Sequence, residues 1–186
     1  MTSEQDEGPG ATPAVRLVPM SPTQYRSFIE ISTTDQVRNQ VLAGRLDQSD
    51  ARQIIDSQLS RILPQGMDTP GHEFFVIESA ATGEHVGDFW FTTMQRAGRP
   101  VGFVMDIQIH PEHRRRGYGA AAFAAVERIA SAKGLSVMAL DVAGHNLPAR
   151  ALYQKLGYRE VAVSMTKVLG TPEGDGGRDL ASTDQG

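Results

Sequence analysis

The chain has 186 residues, a formal net charge of -4 and no cysteine, which suits one domain with an ample core and excludes disulfides, a thiol nucleophile and thiolate-bound metal. The charge balance offers no basic footprint for nucleic acid. The start of the chain has acids, glycine and proline where a signal peptide would have a basic end and an apolar core, and no run reaches the roughly 18 apolar residues of a membrane span, so a soluble cytoplasmic protein is expected.

Residues 1–14 are polar and broken by Gly and Pro, too poor in apolar surface to offset the entropy of ordering, and read as a disordered tail. Residues 15–20 alternate, with Val15 and Leu17 apolar and Arg16 opposite, as a first strand. Ser21-Pro22 is a helix start, serine as N-cap and proline in the first position. From Pro22 to about Leu63 the apolar residues recur at helical spacing in two or three pieces, ended by Pro64-Gln65-Gly66. The carboxylates Glu30, Asp35, Asp47, Asp50 and Asp56 on these helices read as solvated faces.

Residues 72–79 and 86–94 read as strands around a turn at Ala81-Thr82-Gly83-Glu84, and a second turn over 95–100 leads into a strand over 101–110, completing an antiparallel meander. Residues 117–133 form a helix with Gly119, Ala122, Phe123, Val126, Ile129 and Ala130 on one stripe and Gly134 as its stop. The strand over 135–142, reached through that helix, is parallel to its predecessor. A short helix over 146–156 has Pro148 in its first turn and Gly157 as its stop. Residues 158–169 alternate Val161, Val163, Met165 and Lys167 as a last strand, and 170–186 form a second disordered tail. The folded unit is therefore a single domain over 15–169.

Two stretches carry chemistry. In the first, the apolar run Val104, Met105, Ile107, Ile109 meets the break His110-Pro111, and Arg114-Arg115-Arg116-Gly117-Tyr118-Gly119 then opens a helix. Helix-start N–H groups lack intrahelical partners and the macrodipole adds about half a positive charge, so this turn is built to cradle an anion such as a phosphate. Glycine at 117 and 119 lets the main chain approach that ligand closely. The five histidines, His72, His85, His110, His113 and His145, show neither H-x-x-x-H nor H-E-x-x-H spacing, and no metal is expected.

The second stretch, Asn146-Leu147-Pro148-Ala149-Arg150-Ala151-Leu152-Tyr153-Gln154-Lys155-Leu156-Gly157-Tyr158, resembles the N-x-x-A-x-x-L-Y-x-x-L-G-F/Y signature of the GNAT superfamily of acyl-CoA-dependent N-acyltransferases. The earlier Ile109-x-Pro111-x-x-Arg114-x-x-Gly117-x-Gly119 is similar to that family's pyrophosphate loop, one helix and one strand upstream. The resemblance implies an α+β fold: a mixed, mostly antiparallel, twisted sheet of about six to seven strands, splayed between the fourth and fifth, with helices on both faces. It also implies acetyl-CoA as acyl donor, lying in that opening.

Under this resemblance Ile107 and Ile109 offer main-chain groups to the pantetheine arm, Arg114 adds charge beside the phosphates, and Arg115, Arg116, Gly117, Tyr118, Gly119 and Ala120 hold the pyrophosphate. Asn146 bonds the pantetheine or an ordered water. The implied reaction is direct attack of a primary amine, of a small molecule or a peptide, on the thioester within a ternary complex. A lysine-like amine is neutral only about once in two thousand molecules at pH 7, a deficit of some 4 to 5 kcal/mol, so a base is useful. Tyr153 takes the family's tyrosine position as acid toward the leaving thiolate.

Asp106 is the candidate base; simple alternation places it with Val104 and Gln108 on one face, where apolar neighbours raise its pKa. Asp88 and Trp90 are candidates to line the acceptor pocket and Asp141 to brace the opening, while His110 and His145 receive no role. A reading of another class is a non-catalytic acyl-CoA sensor or regulatory module that keeps the cradle without turnover. The acceptor, the acyl length and the assembly state are not legible, a homodimer being one admissible state.

Overall fold

Serine 21 caps the first helix as its sequence requires: its hydroxyl accepts from the Gln24 N–H while the Gln24 side chain reaches back to the Ser21 N–H, a reciprocal capping box. The computed structural model describes residues 13–165 and residue 167. In chain order the elements are β1 (Val15–Pro19), α1 (Pro22–Leu42), α2 (Ala51–Ile62), β2 (His72–Ser79), β3 (His85–Arg96), β4 (Arg99–Ile109), α3 (Tyr118–Ala132), β5 (Met138–Leu140) and α4 (Leu147–Lys155). Short 3-10 turns precede β2 and follow β4.

The sheet order is β1-β2-β3-β4-β5, antiparallel throughout except for β4 and β5, which run parallel as the intervening helix dictates. The elements expected as two or three helical pieces are one unbroken 21-residue helix and a second of 12. Strands β3 and β4 run further than their patterns suggest, to Arg96 and Arg99, because Ala97 and Gly98 both take positive φ (49° and 75°) and close a two-residue hairpin. Positive φ at both central residues matches the twist of paired strands.

Two expectations are corrected. Strand β5 is three residues long rather than eight, and the segment expected as a last strand is not one: residues 158–165 have no strand structure, and Val161, Val163 and Met165 are 94%, 73% and 91% exposed. Alternation signals a two-sided segment, but a strand forms only where a neighbouring edge supplies hydrogen bonds. The remainder of that expected strand, residues 166 and 168–169, lies outside the described residues. The sheet thus has five strands among the described residues, against six to seven expected, within the α+β mixed architecture that was expected.

Both faces of the sheet are covered. On one, Phe75, Ile77, Phe89, Phe91 and Val104 pack against Ala122, Phe123, Val126 and Ala130 of α3. On the other, Phe74, Val76 and Trp90 pack against Met20, Phe28 and Leu63, which belong to or flank α1 and α2. No helix is long and apolar enough to cross a membrane among the described residues.

Candidate active site

Strand β4 is paired on both sides only for its first half. On the β5 side the ladder stops at Val104↔Leu140, while on the β3 side it continues to Gly87↔Ile109. The register shifts between Trp90 and Phe91, which leaves Met105 as the extra residue of a β-bulge. Such an insertion bends its strand. The opening expected between fourth and fifth strands is present, and the bulge lies directly after the last β4–β5 pair.

The bulge also corrects the face assignment of Asp106. Val104 sits opposite Phe91 in the α3-side core, whereas Asp106 sits opposite Trp90 on the side of α1 and α2. Asp106 and Gln108 do share a face, as expected, but Val104 is on the other one. There the Gln108 amide donates to Asp106 Oδ2 at 2.9 Å, and Ser32 of α1 faces the same carboxyl. Burial raises the Asp106 pKa above the ordinary carboxylate value; hydrogen bonding opposes the rise and the nearby charge of Asp35 adds to it.

Main-chain direction follows from one hydrogen bond. His110 donates its N–H to the Val86 carbonyl at 3.0 Å, so alternation turns the groups of Ile109 and Ile107 to the opposite, open edge. The Ile109 carbonyl is taken by Arg114 Nε at 2.9 Å. Arg114 thus clasps the strand end. The Ile109 N–H and both main-chain groups of Ile107 remain directed into the opening.

The cradle that follows is strained where the sequence tolerates it least and most. Arg115 has φ 62°, rare for a side chain with a Cβ, and Gly117 has φ 87° as N-cap of α3. The first helical bond that closes back is Ala121 N–H to the Gly117 carbonyl at 3.1 Å, so the N–H groups of Tyr118, Gly119 and Ala120 have no acceptor within the helix. A Cβ at Gly117 would lie 2.8 Å from Pro13 Cδ, and one at Gly119 3.2 Å from Leu152 of α4. The second glycine lets α4 approach the cradle.

Helix α4 starts at Asn146, whose Oδ1 accepts from the Ala149 N–H at 3.2 Å. That cap leaves the amide NH2 of Asn146 available to a ligand. About two turns on, Tyr153 packs edge-on against Phe123, ring centroids 5.3 Å apart. Its pKa is pushed up to about 12, first by burial and then by the charge of Asp106. Phenol and carboxylate come from opposite sides of the sheet.

Other expected positions divide. Trp90 is core, 4% exposed, with Nε1 donating to His72 Nδ1 at 3.0 Å. Asp88 is 6% exposed and engaged by His85 and His110, so neither residue is an open pocket wall. Asp141 is exposed just past β5. His145, assigned no role, contacts Asn39 of α1 at 3.3 Å and ties the α4 loop to the far helix. Among the helix carboxylates, Arg52 binds Glu30 and Asp56 and Arg38 binds Asp35. Sequence reasoning missed Ser32; its only signal was a small polar residue within the helical stretch.

The profile of the Acetyltransferase (GNAT) family matches residues 44–158. The chain is 28% identical over 155 residues to the uncharacterized N-acetyltransferase YycN of Bacillus subtilis (strain 168), covering 83% of this chain and 99% of that one. The YycN crystal structure superposes with a TM-score of 0.79 over 85% of this chain and all of the other. Mycothiol acetyltransferase of Saccharomonospora viridis is 36% identical over 104 residues, 53% of this chain and 33% of that protein. AAC(6')-Iy, solved with a CoA-S-monomethyl-acetylneamine bisubstrate analogue, shares the fold at 21% identity and TM-score 0.52, with 84% of this chain and 99% of that one covered.

Proposed function

The chain belongs to the acetyltransferase (GNAT) family, and from that premise we propose that it transfers the acetyl group of acetyl-CoA to a primary amine of a small molecule or peptide, by direct attack within a ternary complex. The observation that carries this reading is the unpaired half of β4 running into the turn whose Tyr118, Gly119 and Ala120 N–H groups lack a helical acceptor, with Asp106 on that strand and Tyr153 on α4. A carboxylate and a phenol beside one opening can serve as base and acid for a single transfer.

The pantetheine arm adds to the free edge through the Ile107 groups and the Ile109 N–H. Its pyrophosphate rests on the N–H groups of residues 115–120, and Asn146 donates to the arm. Asp106, its basicity raised by burial, takes a proton from the acceptor nitrogen as the N–C bond forms at the thioester carbonyl. The tetrahedral adduct then breaks its C–S bond, and Tyr153 donates to the departing sulfur.

Burial, and after it the charge of Asp106, keeps the Tyr153 phenol protonated until the thiolate forms. Between turnovers the proton that Asp106 took from the amine returns to Tyr153 through solvent.

The test is thiol release from acetyl-CoA across a panel of amines, from polyamines and aminoglycosides to N-terminal and lysine peptides. Release with at least one acceptor, lost in Asp106→Asn, is expected. Tight acetyl-CoA binding without release across the panel would overturn the reading in favour of a sensor.

A further inference from the structure

At the same end of the β3–β4 ladder as the opening, but on its β3 side, three side chains converge on one point. His85 opens β3, Asp88 follows three residues later, and His110 is the first residue beyond β4. His85 Nε2 lies 3.0 Å from Asp88 Oδ1 and His110 Nε2 lies 3.4 Å from Asp88 Oδ2. The three donor atoms all fall within 4.8 Å of one another, and the two imidazole rings are 4.6 Å apart.

We infer that His85, Asp88 and His110 form a binding site for a divalent transition metal, of which zinc is the best fit. Two imidazole nitrogens and one carboxylate oxygen are an intermediate-to-hard donor set that suits zinc and its neighbours better than magnesium or calcium. At Zn–N and Zn–O lengths of about 2.0–2.1 Å, tetrahedral donors stand about 3.3–3.5 Å apart. His110 stands at that spacing from Asp88 Oδ2 and His85 slightly inside it from Oδ1, so a small adjustment of the two rings brings the three donors to one ion.

The environment fits a held ion better than a surface ion pair. The Asp88 side chain is 9% exposed, and an isolated buried carboxylate is costly; the imidazoles are about one-third exposed and leave one side open to water. That open side supplies an entry path and a fourth coordination position. Gly87 sets the geometry from behind: a Cβ there would lie 2.2 Å from the Gln108 carbonyl, so only glycine lets β3 and β4 close in beside Asp88. The sequence hid the site because its ligands come from β3 and from the loop beyond β4, with spacings of 3 and 22 residues.

A metal here joins the start of β3 to the exit of β4, four residues before the Arg114 clasp. The test uses tag-free protein stripped with chelator and titrated with ZnCl2 by calorimetry, and with CoCl2 by visible absorption. One zinc per chain is expected, with a raised melting temperature and cobalt bands of low symmetry. His85→Gln and His110→Gln, both at partly exposed positions that leave the fold intact, should each weaken zinc at least tenfold. Asp88→Asn should do the same where it folds. No saturable binding at one equivalent, or binding unchanged in both histidine variants, would overturn the inference and leave a hydrogen-bonded His-Asp-His network. Neither outcome depends on finding an acceptor amine.

Discussion

The two faces of β4 are built to different ends. Toward α3 the strand presents Val104, Ile107 and Ile109 to a dry core centred on Phe89, Phe91 and Phe123, whose side chains are fully buried. Toward α1 it presents Asp106 and Gln108, hydrogen-bonded to each other, with Ser32 across from them. Apolar packing is non-directional and tolerates many sequences, whereas a part-buried carboxylate costs stability and persists only where something else gains from it. The contrast teaches that the first face specifies the fold and the second carries chemistry at the fold's expense.

Substitutions on the two faces should therefore fail in opposite ways. The largest effect belongs to the core: Phe123→Ala should cost about 3–5 kcal/mol in chemical denaturation, since the ring is fully buried and edge-packed on Phe89 and Tyr153. A value near zero would mean that the core does not hold the sheet to α3.

Asp106→Asn should lower kcat/KM on the order of 10³-fold while making the protein more stable at pH 7. The sign follows from the raised pKa: the folded state binds the carboxyl proton more tightly than the unfolded chain. Stability is fullest below the unfolded value and declines as pH rises through the folded one. Rate runs the other way, increasing with pH as the base ionises, so wild type should show an acid limb displaced above the ordinary carboxylate range. Asparagine should abolish both slopes. An unchanged pH–rate profile would remove Asp106 as base.

Tyr153→Phe keeps the ring and removes the proton, so kcat should fall on the order of 10²-fold with acetyl-CoA affinity intact. Loss of affinity instead would make Tyr153 a packing residue only. The smallest change is Gly117→Ala, which places a Cβ at φ 87° and 2.8 Å from Pro13. It should weaken acetyl-CoA about tenfold, or about 1.4 kcal/mol, with the reaction rate at saturation preserved.

Most of the layout was legible because it rests on local signals. The Ser21-Pro22 start, the glycine stops and the alternation of β2 and β3 read directly into elements, and the cradle with the Asn146 to Tyr158 helix pointed to the family. What was not legible required long-range information. Nothing local marks Met105 as an extra residue, since a bulge is defined by its partner strand; counting by twos across it put Val104 on the wrong face. The segment after Tyr158 alternates as a strand would, but pairing depends on an edge that sequence does not display. Ser32 and the His85-Asp88-His110 group were equally invisible, being juxtapositions of distant residues.

The Arg114 clasp sets how the cofactor site should respond to ionic strength. With that guanidinium hydrogen-bonded to the Ile109 carbonyl, it grips the strand and is not committed to the anion. The grip on phosphate then falls on main-chain dipoles at a helix start, whose field is short-ranged and fixed by the fold. Mobile ions screen separated charges far more than groups in contact. Acetyl-CoA affinity should accordingly fall only shallowly between low and physiological salt, and enzyme assayed in a saline or a dilute buffer should saturate at nearly the same acetyl-CoA concentration.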